Sequence, residues 1–116
     1  MNDHVSTHQA EEDARNDQIL IWVDGALKPK AQAVVSVYDS GFMLGDGVWE
    51  GVRLYNGKWT FLDEHIDRLF EAAKAIDLDI ARTKDQVIAA ILETQAANQM
   101  TTDAHARLMV TRGVKT

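Results

Sequence analysis

Tyr38-Asp-Ser-Gly-Phe-Met-Leu-Gly-Asp-Gly-Val-Trp-Glu-Gly-Val-Arg-Leu-Tyr-Asn-Gly57, followed by Asp63-Glu-His-Ile-Asp-Arg-Leu69, decides how this chain is read. Three glycines between Tyr38 and Gly47 predict a loop able to bring backbone close to a ligand. Val48 to Tyr55 then alternates. Val48, Glu50, Val52 and Leu54 share one strand face, and Trp49, Gly51, Arg53 and Tyr55 share the other. Asn56-Gly57 is the chemistry of a type I′ hairpin turn, and Lys58–Phe61 reads as the return strand. Asp63 reads as the cap of a helix whose apolar stripe is Ile66, Leu69, Phe70, Ala73 and Ile76.

Upstream, Ile19–Val23 reads as a short buried strand, Asp24-Gly25 as a tight turn, and Ala26–Lys28 as a return strand stopped by the single proline, Pro29. Ala33–Val37 is a further strand candidate. Downstream, Thr83-Lys-Asp-Gln86 has the form of a capping box. It opens a second helix with buried face Val87, Ile88, Ile91, Leu92 and Gln95 or Ala96, fading near Asn98. His105–Thr111 reads as a last strand and Arg112-Gly113 as the turn that ends it. Hairpins dominate, so the fold expected is α+β, a mainly antiparallel sheet with two helices packed on one side. Gly45-Asp-Gly47 is no dinucleotide fingerprint, since a third glycine is missing and a strand follows.

Composition narrows the function classes. The chain has 116 residues, 46% of them hydrophobic and 26% charged, in keeping with one globular domain. Its net charge of −6 is uneven, with −4 in residues 1–17 and −2 in the rest. Residues 1–17 are expected to be a disordered polar leader, and 18–116 the folded domain. No basic stripe exists for nucleic acid. No apolar run reaches the roughly 18 residues of a membrane span. The absence of cysteine removes disulfides and thiolate chemistry, and makes the cytoplasm the expected compartment. His4 and His8 stand at helical spacing in the polar leader, and no metal-ligand pattern emerges from the four histidines.

Several side chains could carry chemistry. Arg68, early in its helix, can hold an anion through paired hydrogen bonds, or can pair with Glu64 or Glu71. Trp49, Gly51 and Arg53 offer a wall, a gap and a charge on one strand face, or core packing and a strand bend. Arg107 points with Met109 and Thr111, either toward a carboxylate ligand or as a protective edge charge. His65 is a helix-surface histidine or a phosphate contact. Arg112 is a turn residue or a second carboxylate clamp.

From about Ile19 to Gly113 the chain resembles the N-terminal half of class IV (fold type IV) aminotransferases. This group includes branched-chain and D-amino acid aminotransferases, (R)-amine transaminases and aminodeoxychorismate lyase. The likeness rests on Ile21-Trp-Val-Asp-Gly25, Gly45-Asp-Gly-Val-Trp-Glu-Gly-Val-Arg53, Tyr55-Asn-Gly57, Glu64-His-Ile-Asp-Arg-Leu69 and Ala72-Ala-Lys74. It implies pyridoxal 5′-phosphate as cofactor, with Arg68 on its phosphate. It implies substrate-facing roles for Trp49, Gly51, Arg53, Arg107, Arg112 and Leu44, the last standing where branched-chain members commonly carry tyrosine. Val110-Thr-Arg-Gly113 looks more like the D-amino acid or (R)-amine subgroups. The substrates implied are an amino acid or primary amine and a 2-oxo acid or ketone acceptor. The aminodeoxychorismate-type lyase shares fold and cofactor, and a non-catalytic version of the fold is a third reading. The resemblance also implies a homodimer, a Schiff-base lysine and a glutamate facing the pyridine nitrogen. None of Lys28, Lys30, Lys58, Lys74, Lys84 or Lys115 matches that lysine, and Glu50 does not match that glutamate. The expectation is therefore a chain holding the small N-terminal domain, with the remaining machinery in a second half.

Overall fold

The alternation between Val48 and Tyr55 is realised in β3 (Gly47–Tyr55), the centre of the fold. Val48, Glu50, Val52 and Leu54 are buried, whereas Trp49, Arg53 and Tyr55 are exposed. The computed structural model describes residues 13–114. Ahead of β3 come β1 (Leu20–Val23), β2 (Ala26–Pro29) and a short helix, α1 (Ser40–Leu44). After it come β4 (Lys58–Trp59), α2 (Leu62–Ala75), α3 (Lys84–Asn98) and β5 (Ala104–Thr111).

The strands are antiparallel and form two sheets, and hairpin turns set this direction for β1–β2 and β3–β4. One is the β1–β2 hairpin; the other is ordered β4-β3-β5. Both short turns take two successive left-handed residues, Asp24 (φ 49°) with Gly25 (92°) and Asn56 (50°) with Gly57 (78°). That is the geometry whose twist suits a two-residue hairpin. β5 runs along β3 from the pair Gly47–Thr111 to the pair Leu54–Ala104. Gly47 is needed there, because a Cβ would stand 2.6 Å from the Val110 carbonyl oxygen.

The two long helices cover the inward face. Ile66, Leu69 and Ala73 of α2 and Val87 and Ile91 of α3 join Val48 and Leu78 in one core, with Leu108 and Val110 of β5 packed against it. The capping box that opens α3 is formed: Thr83 Oγ1 accepts from the Gln86 amide, and Gln86 Oε1 accepts from the Thr83 amide. Two polar side chains of α3 tie it to the strands. Asn98 exchanges hydrogen bonds with both backbone groups of Leu20, and Gln95 Oε1 accepts from the Trp59 indole. Among the described residues no helix is long and apolar enough to cross a membrane.

Several local expectations are corrected. Ala33–Val37 forms no strand. Val34, Val35 and Val37 are 71%, 69% and 64% exposed and have no strand partner among the described residues, so β-branched composition alone does not make a ladder. The glycine-rich loop contains α1, because Asp39 accepts the Gly41 amide as N-cap and Gly45 (φ 67°) ends the turn. The return strand after Asn56-Gly57 lasts only to Trp59, since Phe61 takes φ 53° and turns the chain into α2. Phe61 is therefore the cap residue, and Asp63 lies inside the first turn, facing the positive helix end. Ile76 caps α2 outside the stripe at 39% exposure, and Leu92 of α3 is 48% exposed. Residues 1–12 of the expected leader, with His4 and His8, lie outside the described residues. Within residues 13–17, Arg15 donates to the carbonyls of Thr102 and Asp103 and to the Asp13 carboxylate.

Candidate functional site

The inward face of β3 is apolar except for Glu50, which is only 6% exposed. A carboxylate in that position requires partners. α2 supplies them from one helix face, where residues three apart are neighbours. Arg68 Nε donates to Oε2 and Arg68 Nη2 to Oε1, both at 2.8 Å, while His65 Nδ1 stands 2.6 Å from Oε1. An ionised carboxylate only accepts, so Nδ1 is the protonated nitrogen of His65. The Arg68 hydrogen bonds, reinforced by His65, outweigh burial and hold the Glu50 carboxyl down at about 2. The same contacts raise Arg68.

The partner of Arg68 is neither Glu64 nor Glu71 but a strand residue, because α2 turns it inward onto β3. It is also the seventh residue of α2, beyond the first turn where the helix dipole is felt. An anion at this place would be held by the guanidinium itself. Glu50 occupies the Nε/Nη2 edge, and the side chain is still 68% exposed. The Nη1 side of the fork therefore remains presented to solvent, with donors spaced for a phosphate.

The pair carries a pH signature. A carboxylate with a lowered pKa contributes stability above its ordinary value of 4.5, and loses it as the pH falls toward about 2. In that window the unfolded chain binds a proton that the folded chain does not, so stability drops with acidification. With Arg68 well exposed, screening limits the effect to about 1–2 kcal/mol. The expected result is a gap in unfolding free energy between the native protein and Glu50→Gln that narrows from neutral pH to about pH 2. A gap unchanged over that range would show that the carboxylate is not held this way.

The other face of β3 gathers Trp49, Gly51, Arg53 and Arg107. Register places Trp49 beside Met109, Gly51 beside Arg107 and Arg53 beside His105. Arg107 thus shares the face of Trp49 and Arg53, with its guanidinium carbon 4.8 Å from the Trp49 ring centre. Arg53 lies over Tyr55 at 5.1 Å and approaches Asp103 at 3.9 Å. The gap expected at Gly51 is filled: a Cβ there would sit 2.7 Å from His105 Cε1. His105 was missed from sequence, and the signal for it is the β3–β5 register, which no local pattern contains.

Arg68 of α2 meets the Glu50 face of β3, whereas Trp49 stands on the other face, because successive strand side chains alternate. A shallow groove of about 550 Å³ opens elsewhere, bordered by Asp67, Phe70, Lys74, Asp77, Ile80 and Lys84. Arg112 is engaged structurally instead of standing free for a carboxylate ligand. It binds both oxygens of Asp46 at 2.8 and 3.2 Å and the carbonyls of Ile76 and Asp77 at 2.7 and 3.0 Å. Those carbonyls follow the C-terminal end of α2, where a cation is favoured. Leu44 is exposed at the end of α1, which is held to β5 by the Thr111 hydroxyl donating to Asp39.

A family model described as Amino-transferase class IV matches residues 47–116, from the first residue of β3 through Glu50, Arg68 and Arg107. The chain belongs to the class IV aminotransferases. Branched-chain-amino-acid aminotransferase-like protein 1 of Arabidopsis thaliana is 45% identical over 100 residues, covering 86% of this chain and 18% of that protein. D-alanine aminotransferase of Listeria monocytogenes serotype 4b is 42% identical over 95 residues, covering 82% of this chain and 32% of that protein. Among solved structures, the branched-chain aminotransferase from the thermophilic archaeon Thermoproteus uzoniensis with norvaline is similar at TM-score 0.72 and 34% identity. That match covers 78% of this chain and 32% of that one. This class IV aminotransferase chain therefore spans about a third, or less, of the length of these relatives.

Proposed function

We propose that this chain supplies the phosphate grip and one substrate-facing wall of a pyridoxal 5′-phosphate-dependent aminotransferase. The enzyme would move an amino group from an amino acid or primary amine to a 2-oxo acid or ketone. One observation carries the reading: Arg68 is bound along one edge by buried Glu50 and presents its other edge outward. A guanidinium so held fits a phosphate monoester, which accepts paired hydrogen bonds in the plane of the fork. When bound, the cofactor would supply an electron-accepting ring. Of this chain's residues, Arg68 would bind and orient it by donating to the phosphate.

On the opposite face, Trp49 and Arg107 form a stacked wall with a cation, which favours a substrate bearing a carboxylate. Relatives are named for branched-chain amino acids and for D-alanine, and both classes of donor enter the test below. A homodimer belongs to the same proposal. It is supported by the apolar surface left open at Phe42, Met43, Trp49 and Met109, each more than half exposed. So does a cytoplasmic setting, supported by the cysteine-free composition.

The test is an amino-transfer assay on the full-length protein loaded with pyridoxal 5′-phosphate. Donors would be a branched-chain L-amino acid, D-alanine and a chiral primary amine, each with 2-oxoglutarate or pyruvate as acceptor. Formation of the amino acid matching the acceptor is expected. Pyruvate release from aminodeoxychorismate without any acceptor would move the assignment to the lyase. Cofactor binding with neither reaction would defeat the proposal.

A further inference from the structure

We infer that Glu50 is a positioning residue for the cofactor phosphate, acting through Arg68 and never touching the anion itself. The inference rests on the reading of Arg68 given above and extends it to a residue for which no role toward the phosphate has yet been derived. Three observations carry it. Glu50 is buried on an otherwise apolar strand face, where Val48, Val52 and Leu54 are its neighbours at alternate positions. It meets Arg68 through two hydrogen bonds of 2.8 Å along one edge of the fork, which fixes the plane of the guanidinium as well as its place. His65 Nδ1 also meets Oε1, at 2.6 Å, so the carboxylate is itself held against rotation.

The physical consequence is preorganisation. An exposed arginine samples many rotamers, and freezing them on binding costs affinity. With its Nε/Nη2 edge already bound, Arg68 has much of that order before the anion arrives. An opposing effect exists, since a carboxylate behind the arginine repels a phosphate. The guanidinium lies between the two anions and the outer side is open to solvent, which screens the repulsion. Positioning is therefore the larger effect, and removing the Glu50 charge should weaken phosphate binding instead of strengthening it.

The experiment measures equilibrium binding of pyridoxal 5′-phosphate and of unphosphorylated pyridoxal to the full-length protein, comparing native, Glu50→Gln, Arg68→Ala and the double variant. Glu50→Gln should lose about tenfold in affinity for the phosphorylated form and leave pyridoxal unchanged. Arg68→Ala should lose more, again only for the phosphorylated form, and adding Glu50→Gln to it should change nothing further. If Glu50→Gln does not fold, as judged by its thermal transition, Glu50→Asp takes its place with the same expected direction. Equal losses for both ligands would make Glu50 merely structural and overturn the inference. Unchanged or tighter phosphate binding in the Glu50 variants, with Arg68→Ala still impaired, would overturn it while leaving the arginine in its role. No loss in Arg68→Ala would remove the reading beneath it.

Discussion

Replacing Arg68 by alanine is expected to weaken pyridoxal 5′-phosphate binding by about a hundredfold, or about 2.7 kcal/mol. Two charge-assisted hydrogen bonds of roughly 1.5–3 kcal/mol each would be lost, partly replaced by water. Arg68→Lys keeps the charge but not the planar fork, so its loss should be smaller, about tenfold. The alanine variant has a second effect. It leaves Glu50, 6% exposed, with His65 as its remaining partner, and a buried carboxylate stripped of its main counter-ion is destabilising. A stability loss lowers affinity for every ligand of the folded state alike, whereas loss of the grip is specific to the phosphate. Affinity measured by equilibrium dialysis against both pyridoxal 5′-phosphate and pyridoxal separates the two. Were the lysine and alanine variants to bind as tightly as the native protein, Arg68 would be no phosphate ligand.

Leu69→Ala should lower the unfolding free energy by about 2–5 kcal/mol, the range for truncating a leucine in a closed core. Leu69 is completely buried, and α2 presses it toward β3 among Val48, Ile66 and Ala73. Its neighbour in sequence, Arg68, gives the effect a functional reading. The packing of Leu69 and the aim of Arg68 both depend on how α2 sits on the strand. The comparison is Leu92→Ala on α3, 48% exposed, for which about 1 kcal/mol or less is expected. Urea unfolding of the two variants reports the difference directly. A Leu69→Ala loss as small as that of Leu92→Ala would mean that the α2–β3 interface is not the centre of the core.

Much of the local structure is legible one segment at a time. Asn56-Gly57 and Asp24-Gly25 can each hardly be anything but a two-residue hairpin turn. Thr83 and Gln86 announce the α3 capping box at a spacing of three. The strict alternation from Val48 to Leu54 separates the two faces of β3 before any partner is known. Local signals failed where a neighbour elsewhere in the chain decided. Val34, Val35 and Val37 have strand composition, but a strand exists only with a partner ladder. Phe61 is no favoured cap residue, and it takes φ 53° at the place where a two-residue β4 must turn into α2.

The site divides along the same line. That Arg68 is a cation on a helix, and that Trp49 and Arg53 share a strand face, follows from the residues and their spacing alone, because helix and strand periods are local properties of the backbone. Which carboxylate meets Arg68, that His105 rather than a ligand fills the space over Gly51, and that Arg112 closes on Asp46 and the end of α2 were decided only when β3, β5 and α2 packed together. Those contacts join residues from 18 to 66 positions apart, farther than the repeat of any single helix face or strand brings together. Glu50 lies between the two cases. Its place on an apolar face demanded a counter-charge, and the choice of Arg68 and His65 belonged to the docking of α2.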